Sequence, residues 1–309
     1  MDSKKIRKSI SDFFSWLALK ICSLIIKITP GFLVYGVAKY LSLLIYALLG
    51  KKRNIALESL SIAFGQEKSK AEIEEIARDC FVYMGKGGIE ILYFLDKPDL
   101  LRARVEIEGK EKLDAALAKG KGIILLSAHF GNFPLMLARL SQEGYKVSAI
   151  MRYMRNERIE KLFASSRRKF GVKTIYSQPR KVCVEDTIRS LRGNELIFVL
   201  LDQNFGTAGV FVDFFGRKAA TATGPLILAR RTGAQIMPCF IVRNKDDTHK
   251  IIVDEPFQIK EEQDYNKTIV SNIQRLTDII ELYIRKYPAQ WGWIHRRWKS
   301  RPNLERGGV

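Results

Sequence analysis

The sequence predicts an α/β fold: a mostly parallel central sheet flanked by helices, preceded by membrane-associated N-terminal helices. Three observations predict it. Beyond residue 105, short apolar runs alternate with helical segments. The chain has 309 residues, 47% hydrophobic and 28% charged, enough to bury a full core. Its first 50 residues hold two long apolar stretches interrupted only by a few polar residues and lysines.

The first stretch, residues 13–28, is broken by Lys20 and Lys27. The second, "GFLVYGVAKYLSLLIYALLG" over residues 31–50, contains one lysine, Lys39, and is about long enough to cross a hydrocarbon core of ~30 Å. Lysines spaced among aromatics and leucines also fit a helix lying in the interface. No small-residue cleavage site follows, so a secretory signal is not expected. The first 53 residues hold ten Lys/Arg and two acids, Asp2 and Asp12. That balance suits an anionic cytoplasmic leaflet. The competing reading is a buried helical hairpin packed on the domain. Residues 1–50 are therefore read as a membrane anchor, 51–104 as an amphipathic helical region, and 105–309 as the α/β domain with a C-terminal helix and a basic Trp-rich tail.

Within 51–104, "SKAEIEEIARDCFVYMGKGGIEILYF" places Ile73, Ile76, Phe81 and Met84 at helical spacing, with Ser69 as a cap. The strand candidates that follow are "VEIEG", "GIILLSAH", "KVSAIM", "VKTIY", "ELIFVLLDQ", "AQIMPCFIV" and "KIIVD". Helices are expected near 111–119, 133–143, 155–169, 182–192 and 224–232, with a last long one over 265–286.

Composition narrows the chemistry. The charge is 52 − 33 = +19, which favours an anionic partner: membrane surface, nucleic acid or an acidic carrier protein. The four cysteines are dispersed with no CxxC pair, so no disulfide, structural zinc or other metal site is expected. There are three histidines, no HExxH and no GxSxG. No cofactor is implied.

In open α/β sheets, ligands bind outside the carboxyl ends of the strands. "GIILLSAH" delivers His129 there, and "ELIFVLLDQN" delivers Asp202 and Gln203. Local capping by the same residues is the competing reading, and pattern alone leaves both open. Asn132 is a good N-cap for the helix after His129, and Pro134 suits its first turn. "GVFVDFFG" is read as the border of a hydrophobic pocket, and Thr223-Gly224-Pro225 as a cap and first turn. In "YPAQWGWIHRRWKSRP", three tryptophans lie among arginines and no acid, a pattern that fits an interface or an anionic head group.

Together "KKRNIALESLSIAF", "HFGN", "LLDQN", "VDFFGRKAATATGP", "LARRTGAQIMP" and "PAQWGWIHRRWKSRP" resemble the lipid A biosynthesis acyltransferase family, within the lysophospholipid acyltransferase superfamily. The resemblance spans nearly the whole chain. It implies a glycerolipid acyltransferase-like fold at the cytoplasmic face of the inner membrane. It also implies transfer of a fatty acyl chain from an acyl carrier protein or coenzyme A thioester to a lipid hydroxyl. The acceptor it implies first is a phosphorylated lipid A precursor. The family motif is a histidine followed, after four residues, by Asp or Glu. His129 matches the histidine, Pro134 stands where the acid belongs, and the second family acid maps onto Asp202. An arginine of the intervening region maps nearest to Arg167 or Arg168.

The expected mechanism uses His129 as general base, with Asp202 replacing the missing acid as its orienting group and Asn132 as the weaker candidate. Oxyanion donors are expected from backbone N–H groups near Gly131–Asn132 or from an arginine. Substrate contacts are expected at Asn132, Arg167, Arg168, Gln203, Arg296 and Arg297. One rival is an inactive lipid-binding relative, suggested by Pro134. Another is an acyltransferase for a different glycolipid or aminolipid. Nucleic-acid binding is disfavoured, because no recognised motif accompanies the charge.

Overall fold

A computed structural model describes residues 3–94 and 97–302, so residues 303–309 of the tail lie outside the described residues. Four helices come first: α1 (Ser3–Ile28), α2 (Gly31–Leu48), α3 (Gly50–Phe64) and α4 (Lys70–Phe94). Then come α5 (Pro98–Arg104), β1 (Val105–Glu108), α6 (Lys110–Leu117), β2 (Ile123–Ser127), α7 (Phe133–Gln142) and β3 (Val147–Met151). They are followed by α8 (Glu157–Lys169), β4 (Val172–Tyr176), α9 (Arg180–Arg192), β5 (Leu196–Leu200), β6 (Val210–Phe214) and β7 (Arg217–Thr221). The last elements are α10 (Gly224–Thr232), β8 (Gln235–Arg243), β9 (His249–Val253) and α11 (Tyr265–Lys286).

The main sheet runs β1-β9-β8-β2-β5-β3-β4. Strands β8, β2, β5, β3 and β4 are mutually parallel. Strand β9 is antiparallel to β8, and β1 is parallel to β9. All seven strands expected from the sequence are present. Strand β2 sits mid-sheet, and all its residues are buried, as an apolar run covered on both faces requires. Its side chains alternate between two cores. Ile124 and Leu126 pack with α3, α4, α10 and α11, whereas Ile123 and Leu125 pack with α5, α6 and α7.

Helix α11 shows how the period sets the packing. Ile269, Ile273, Leu276, Ile280 and Ile284 recur every three or four residues and are buried. Each such side chain contributes about 1.5–3 kcal/mol on burial. Asp264 caps the helix by accepting from Lys267 N at 2.7 Å. Helix α4 opens with a capping box: Ser69 Oγ accepts from Glu72 N, and Glu72 Oε2 accepts from Ser69 N.

Residues 7–28 of α1 and the whole of α2 are long and apolar enough to cross a membrane, by length and composition. Helix α2 buries Val34, Ala38, Ser42 and Tyr46. That face lies along α4, where a Cβ on Gly85 would meet Ser42 Oγ at 1.8 Å. The other face exposes Phe32, Tyr40, Leu44 and Leu48. Helix α1 is exposed along most of its apolar length, so it is not half of a buried hairpin.

The segment "GVFVDFFG" forms β6 of a two-stranded hairpin with β7. Phe214 and Phe215 are buried against Trp291, Trp293, Trp298 and Phe64. The expectation that it borders a ligand pocket is therefore corrected. Phe214 and Phe215 face other aromatics of the core.

Candidate active site

Strands β2 and β5 are parallel neighbours with Ser127 opposite Leu200. Both chains leave the sheet at the same level, and Leu201 N donates to Ser127 O at 3.1 Å. Two residues beyond that pair on each strand stand His129 and Asp202. His129 Nδ1 lies 2.9 Å from Asp202 Oδ1, and the backbone N–H of His129 donates to Oδ2 at 2.9 Å. Trp291 Nε1 donates to the same Oδ2 at 2.7 Å. The Asp202 side chain is 1% exposed and that of His129 is 34% exposed, so the carboxylate is sealed and the imidazole accessible.

The two groups set each other's charge. Burial works against a charged imidazole, but the charge and hydrogen bond of Asp202 outweigh it and raise the His129 pKa above 6.5. Burial likewise works against the Asp202 carboxylate, and His129 and Trp291 together hold its pKa below the usual value. With Nδ1–H given to Asp202, the Nε2 lone pair is the free end. Gln203 Nε2 sits 3.0 Å from it.

Two cavities meet at this histidine. One, of about 640 Å³, is walled by β3, β5, α9 and α10, with Ile150, Cys183, Phe198 and Leu228 among its apolar lining. The other, of about 380 Å³, lies under α4 beside Gly87, Asn132, Arg243 and His295. His129, Phe133 and Gln203 line both.

The turn after His129 is held from outside. Gly131 has φ +56°, and a Cβ there would fall 1.9 Å from Ile241 O. Only glycine fits. Gly131 N donates to Gln290 O, Gly292 N donates to His129 O, and Phe130 bridges Trp291. The "QWG" of the C-terminal tail thus clamps the histidine turn and supplies the indole that binds Asp202. Trp291, Trp293 and Trp298 are all buried, which corrects their reading as an interface. Trp291 was missed as a site residue, because nothing in its local pattern separates it from the two other tryptophans.

Asn132 occupies the N-cap position of α7, but its side chain makes no cap bond. Its Nδ2 donates instead to Gly87 O and to Glu90 Oε2, at 3.1 and 2.9 Å. Asn132 is thus neither the cap nor the group on His129, although it borders the smaller cavity. Pro134 is in the first turn of α7, as expected. Glu90 is buried and accepts both Arg243 guanidinium N–H groups at 2.6 Å, with His249 Nε2 at 3.1 Å. Burial works against this charge, yet His249 and Arg243 hold the Glu90 carboxyl down at about 2. Sequence reasoning missed this network, since its members lie on α4, β8 and β9.

None of the four expected arginines lines a cavity at His129. Arg167 pairs with Glu160 at 2.6 Å and donates to Thr174 Oγ1. Arg168 borders a separate hollow beside Lys173 and Tyr176. Neither lines a cavity at His129; Arg152, Arg180 and Arg231 line the larger one and Arg243 the smaller. Arg297 is fully buried and donates to Gln203 O, Ala220 O and Thr221 Oγ1. Burial pushes its pKa down to about 10 despite the Asp202 charge. It is a strut for the segment after Asp202. Arg296 is exposed and borders a basic hollow with Arg217, Lys299 and Arg301. Gly131 N–H is spent on Gln290, so it is not a free oxyanion donor. No group of three or more His, Cys, Asp or Glu placed to hold a metal occurs among the described residues.

The family model described as bacterial lipid A biosynthesis acyltransferase matches residues 2–300. The chain belongs to this family. It is 26% identical over 295 residues to the lipid A biosynthesis lauroyltransferase of Escherichia coli K12, covering 94% of this chain and 92% of that one. It is 25% identical over 257 residues to the lipid A biosynthesis palmitoleoyltransferase of the same organism, covering 82% and 81%. A phosphatidylinositol mannoside acyltransferase of Mycobacterium tuberculosis is 28% identical over 196 residues, covering 62% and 59%. Against the crystal structure of the 1-acyl-sn-glycerophosphate acyltransferase of Thermotoga maritima, the TM-score is 0.37 at 12% identity, covering 81% and 97%. In this chain Pro134 lies five residues after His129 in the first turn of α7, and the Asp202 carboxylate sits on the histidine itself.

Proposed function

We propose that this acyltransferase moves a fatty acyl chain from a thioester to a hydroxyl of a phosphorylated glycolipid, with His129 as base and Asp202 as its orienting acid. The observation that carries the reading is the His129–Asp202 pair at the meeting of two cavities. One cavity suits the acyl chain and the other the acceptor, so the two substrates meet over Nε2. The thioester carrier is an acyl carrier protein or coenzyme A. The acceptor is a lipid A precursor, in keeping with the names of the relatives.

In this mechanism Nε2 takes the acceptor hydroxyl proton as the oxygen attacks the thioester carbonyl. Asp202 stabilises the imidazolium that forms. The tetrahedral intermediate collapses, the C–S bond breaks, and the thiolate leaves with the proton returned from Nε2. No acyl-enzyme forms. Gln203 Nε2, at rest on the His129 lone pair, must swing aside for the hydroxyl, and from there its amide donates to the oxyanion. The protein works on the cytoplasmic face of the inner membrane. Helices α1 and α2 hold it there, and their lysines and the following Lys51, Lys52 and Arg53 face anionic lipid.

The test is turnover. Purified full-length protein is incubated with acyl carrier thioester and inner-membrane lipid, and products are weighed by mass spectrometry. A lipid heavier by one acyl chain supports the reading, and the identity of that lipid names the acceptor. Binding without product would return the chain to the inactive lipid-binding class suggested by Pro134. A mannosylated or amino-acid lipid as product would move the acceptor away from lipid A.

A further inference from the structure

We propose that the hollow of about 280 Å³ between α3, β7 and the C-terminal tail is a phosphate-binding site, separate from both cavities at His129, which holds a phosphate of the acceptor head group. Its lining carries four cations, Arg217, Arg296, Lys299 and Arg301, against one acid, Glu58. None of these five has an ion-pair partner among the described residues. Asp213, on the same hairpin as Arg217, is taken by Lys218 at 3.1 Å. Like charges gathered without a counter-charge repel one another, and an anion in their midst relieves the repulsion.

The cluster is held in place before any ligand arrives. Along the tail, Arg297, Trp298 and Ser300 turn inward. Arg297 donates to Gln203 O and Thr221 Oγ1, Trp298 Nε1 donates to Phe214 O, and Ser300 exchanges hydrogen bonds with the Asn204 side chain. Arg296, Lys299 and Arg301 alternate with them and are exposed. Three cations thus stand outward on a backbone pinned beneath them, so little ordering entropy is lost on binding. Arginine forks match phosphate oxygens two at a time. The hollow is just below the usual range of small-molecule clefts, about 300–1,000 Å³, which suits one fragment of a head group and not a protein surface. Its large apolar residues, Ile62 and Trp298, are half-buried and buried, so no apolar ring is offered to a bilayer. The hollow also adjoins the acceptor side of the active site. His295 borders the smaller cavity, and Arg296, the next residue, borders the hollow. A head group lying across the tail can therefore place its phosphate here while its hydroxyl reaches Nε2. The proposal rests on the acyltransferase reading for that placing of the hydroxyl.

The experiment reads binding with no thioester present, so it fails or succeeds separately from that reading. The full chain in detergent micelles is titrated with a diglucosamine lipid bearing phosphate monoesters, and with the same lipid after phosphatase treatment. Inorganic phosphate, phosphatidylglycerol and an acidic acyl carrier protein serve as competitors. One variant combines Arg296→Gln, Lys299→Gln and Arg301→Gln. A control removes the same charge from exposed positions elsewhere, as Lys119→Gln, Arg168→Gln and Arg192→Gln. Circular dichroism and the affinity for the phosphatase-treated lipid report whether each variant is folded.

The expected result is tighter binding of the phosphorylated lipid than of its phosphatase-treated twin. The tail variant should cut that preference by on the order of a hundredfold, about fivefold for each cation, and leave affinity for the twin as it was. The control should keep the preference. A folded tail variant that retains it, or a control that loses it equally, would overturn the proposal. Competition by inorganic phosphate or phosphatidylglycerol as strong as that of the phosphorylated lipid would overturn it too, giving the hollow to a free phosphate or a bilayer lipid. So would displacement by the carrier protein that depends on the same three cations, which would make that protein the occupant. Turnover with no phosphate preference would sink this proposal alone, whereas the preference without turnover would leave it standing and count against the acyltransferase reading.

Discussion

Asp202 takes two hydrogen bonds from a single residue: His129 gives it both its backbone N–H, at 2.9 Å to Oδ2, and its Nδ1–H, at 2.9 Å to Oδ1. One carboxylate therefore fixes the main chain, the ring plane and the tautomer of the histidine together. That is the arrangement the proposed base needs, since Pro134 and not an acid stands five residues after it.

Removing the proposed base is the plainest test. His129→Ala should lower transfer by about 10²–10⁴-fold while leaving the fold intact. Asp202→Asn should cost up to about 10⁴, the figure for the orienting carboxylate of the serine-protease triad, which is the standard worked case for this role. Adding Pro134→Glu to Asp202→Asn should recover part of the loss. A silent Asp202→Asn in steady-state assays would contradict the assignment.

The pH profile follows from the same pair. The base must be neutral, and its pKa is raised above 6.5 once the Asp202 charge has outweighed burial. Activity should therefore climb with pH through a midpoint above 6.5. In Asp202→Asn the burial effect stands alone, so the midpoint should move down. A midpoint that stays put, measured on kcat/KM, would mean that another group is titrating.

Gln203 tests the oxyanion. Gln203→Ala should lower kcat by about 10²–10³-fold if its amide serves the intermediate, with little change in KM. A higher kcat would instead show that the side chain only blocks Nε2 at rest.

The buried network under α4 governs stability. Glu90→Gln leaves the Arg243 guanidinium with a weakened partner and should destabilise the fold by roughly 3–5 kcal/mol, read by denaturant unfolding at neutral pH. The folded-state carboxyl of Glu90 is held down at about 2, so its contribution is complete above the ordinary value of 4.5 and is lost as pH falls toward 2. The wild type should lose stability across that window, and Glu90→Gln should lose less.

The proposed anchor divides into two unequal parts. Removing residues 1–29 takes away a mostly exposed helix and should leave a folded, active catalytic domain with weaker membrane attachment. Removing residues 1–50 uncovers the α4 face that packs Val34, Ala38 and Tyr46, and should give aggregation. Soluble, folded protein from the longer deletion, judged by gel filtration and circular dichroism, would contradict this division.

The sequence by itself determined the seven strands, the helices between them and the placing of His129 and Asp202 at strand ends. Those features follow from apolar periodicity and turn chemistry within a dozen residues, where cause and effect are local. Partnership was decided by the tertiary structure alone. His129 and Asp202 are 73 residues apart, and Glu90 and Arg243 are 153 apart. Their meeting depends on β5 lying beside β2 and on β8 lying near α4, an order that no local pattern encodes. The tail shows the same limit. Tryptophans among arginines read as a surface, yet a buried ring needs only one partner for its N–H, and the structure supplies Asp202, Pro288 and Phe214. Arg297 and Arg167 read as substrate contacts, but the oxygens of Gln203, Ala220 and Thr221, and of Glu160, reach them in space. A charge is legible from one residue, whereas its neutralisation needs every chain segment that folds against it.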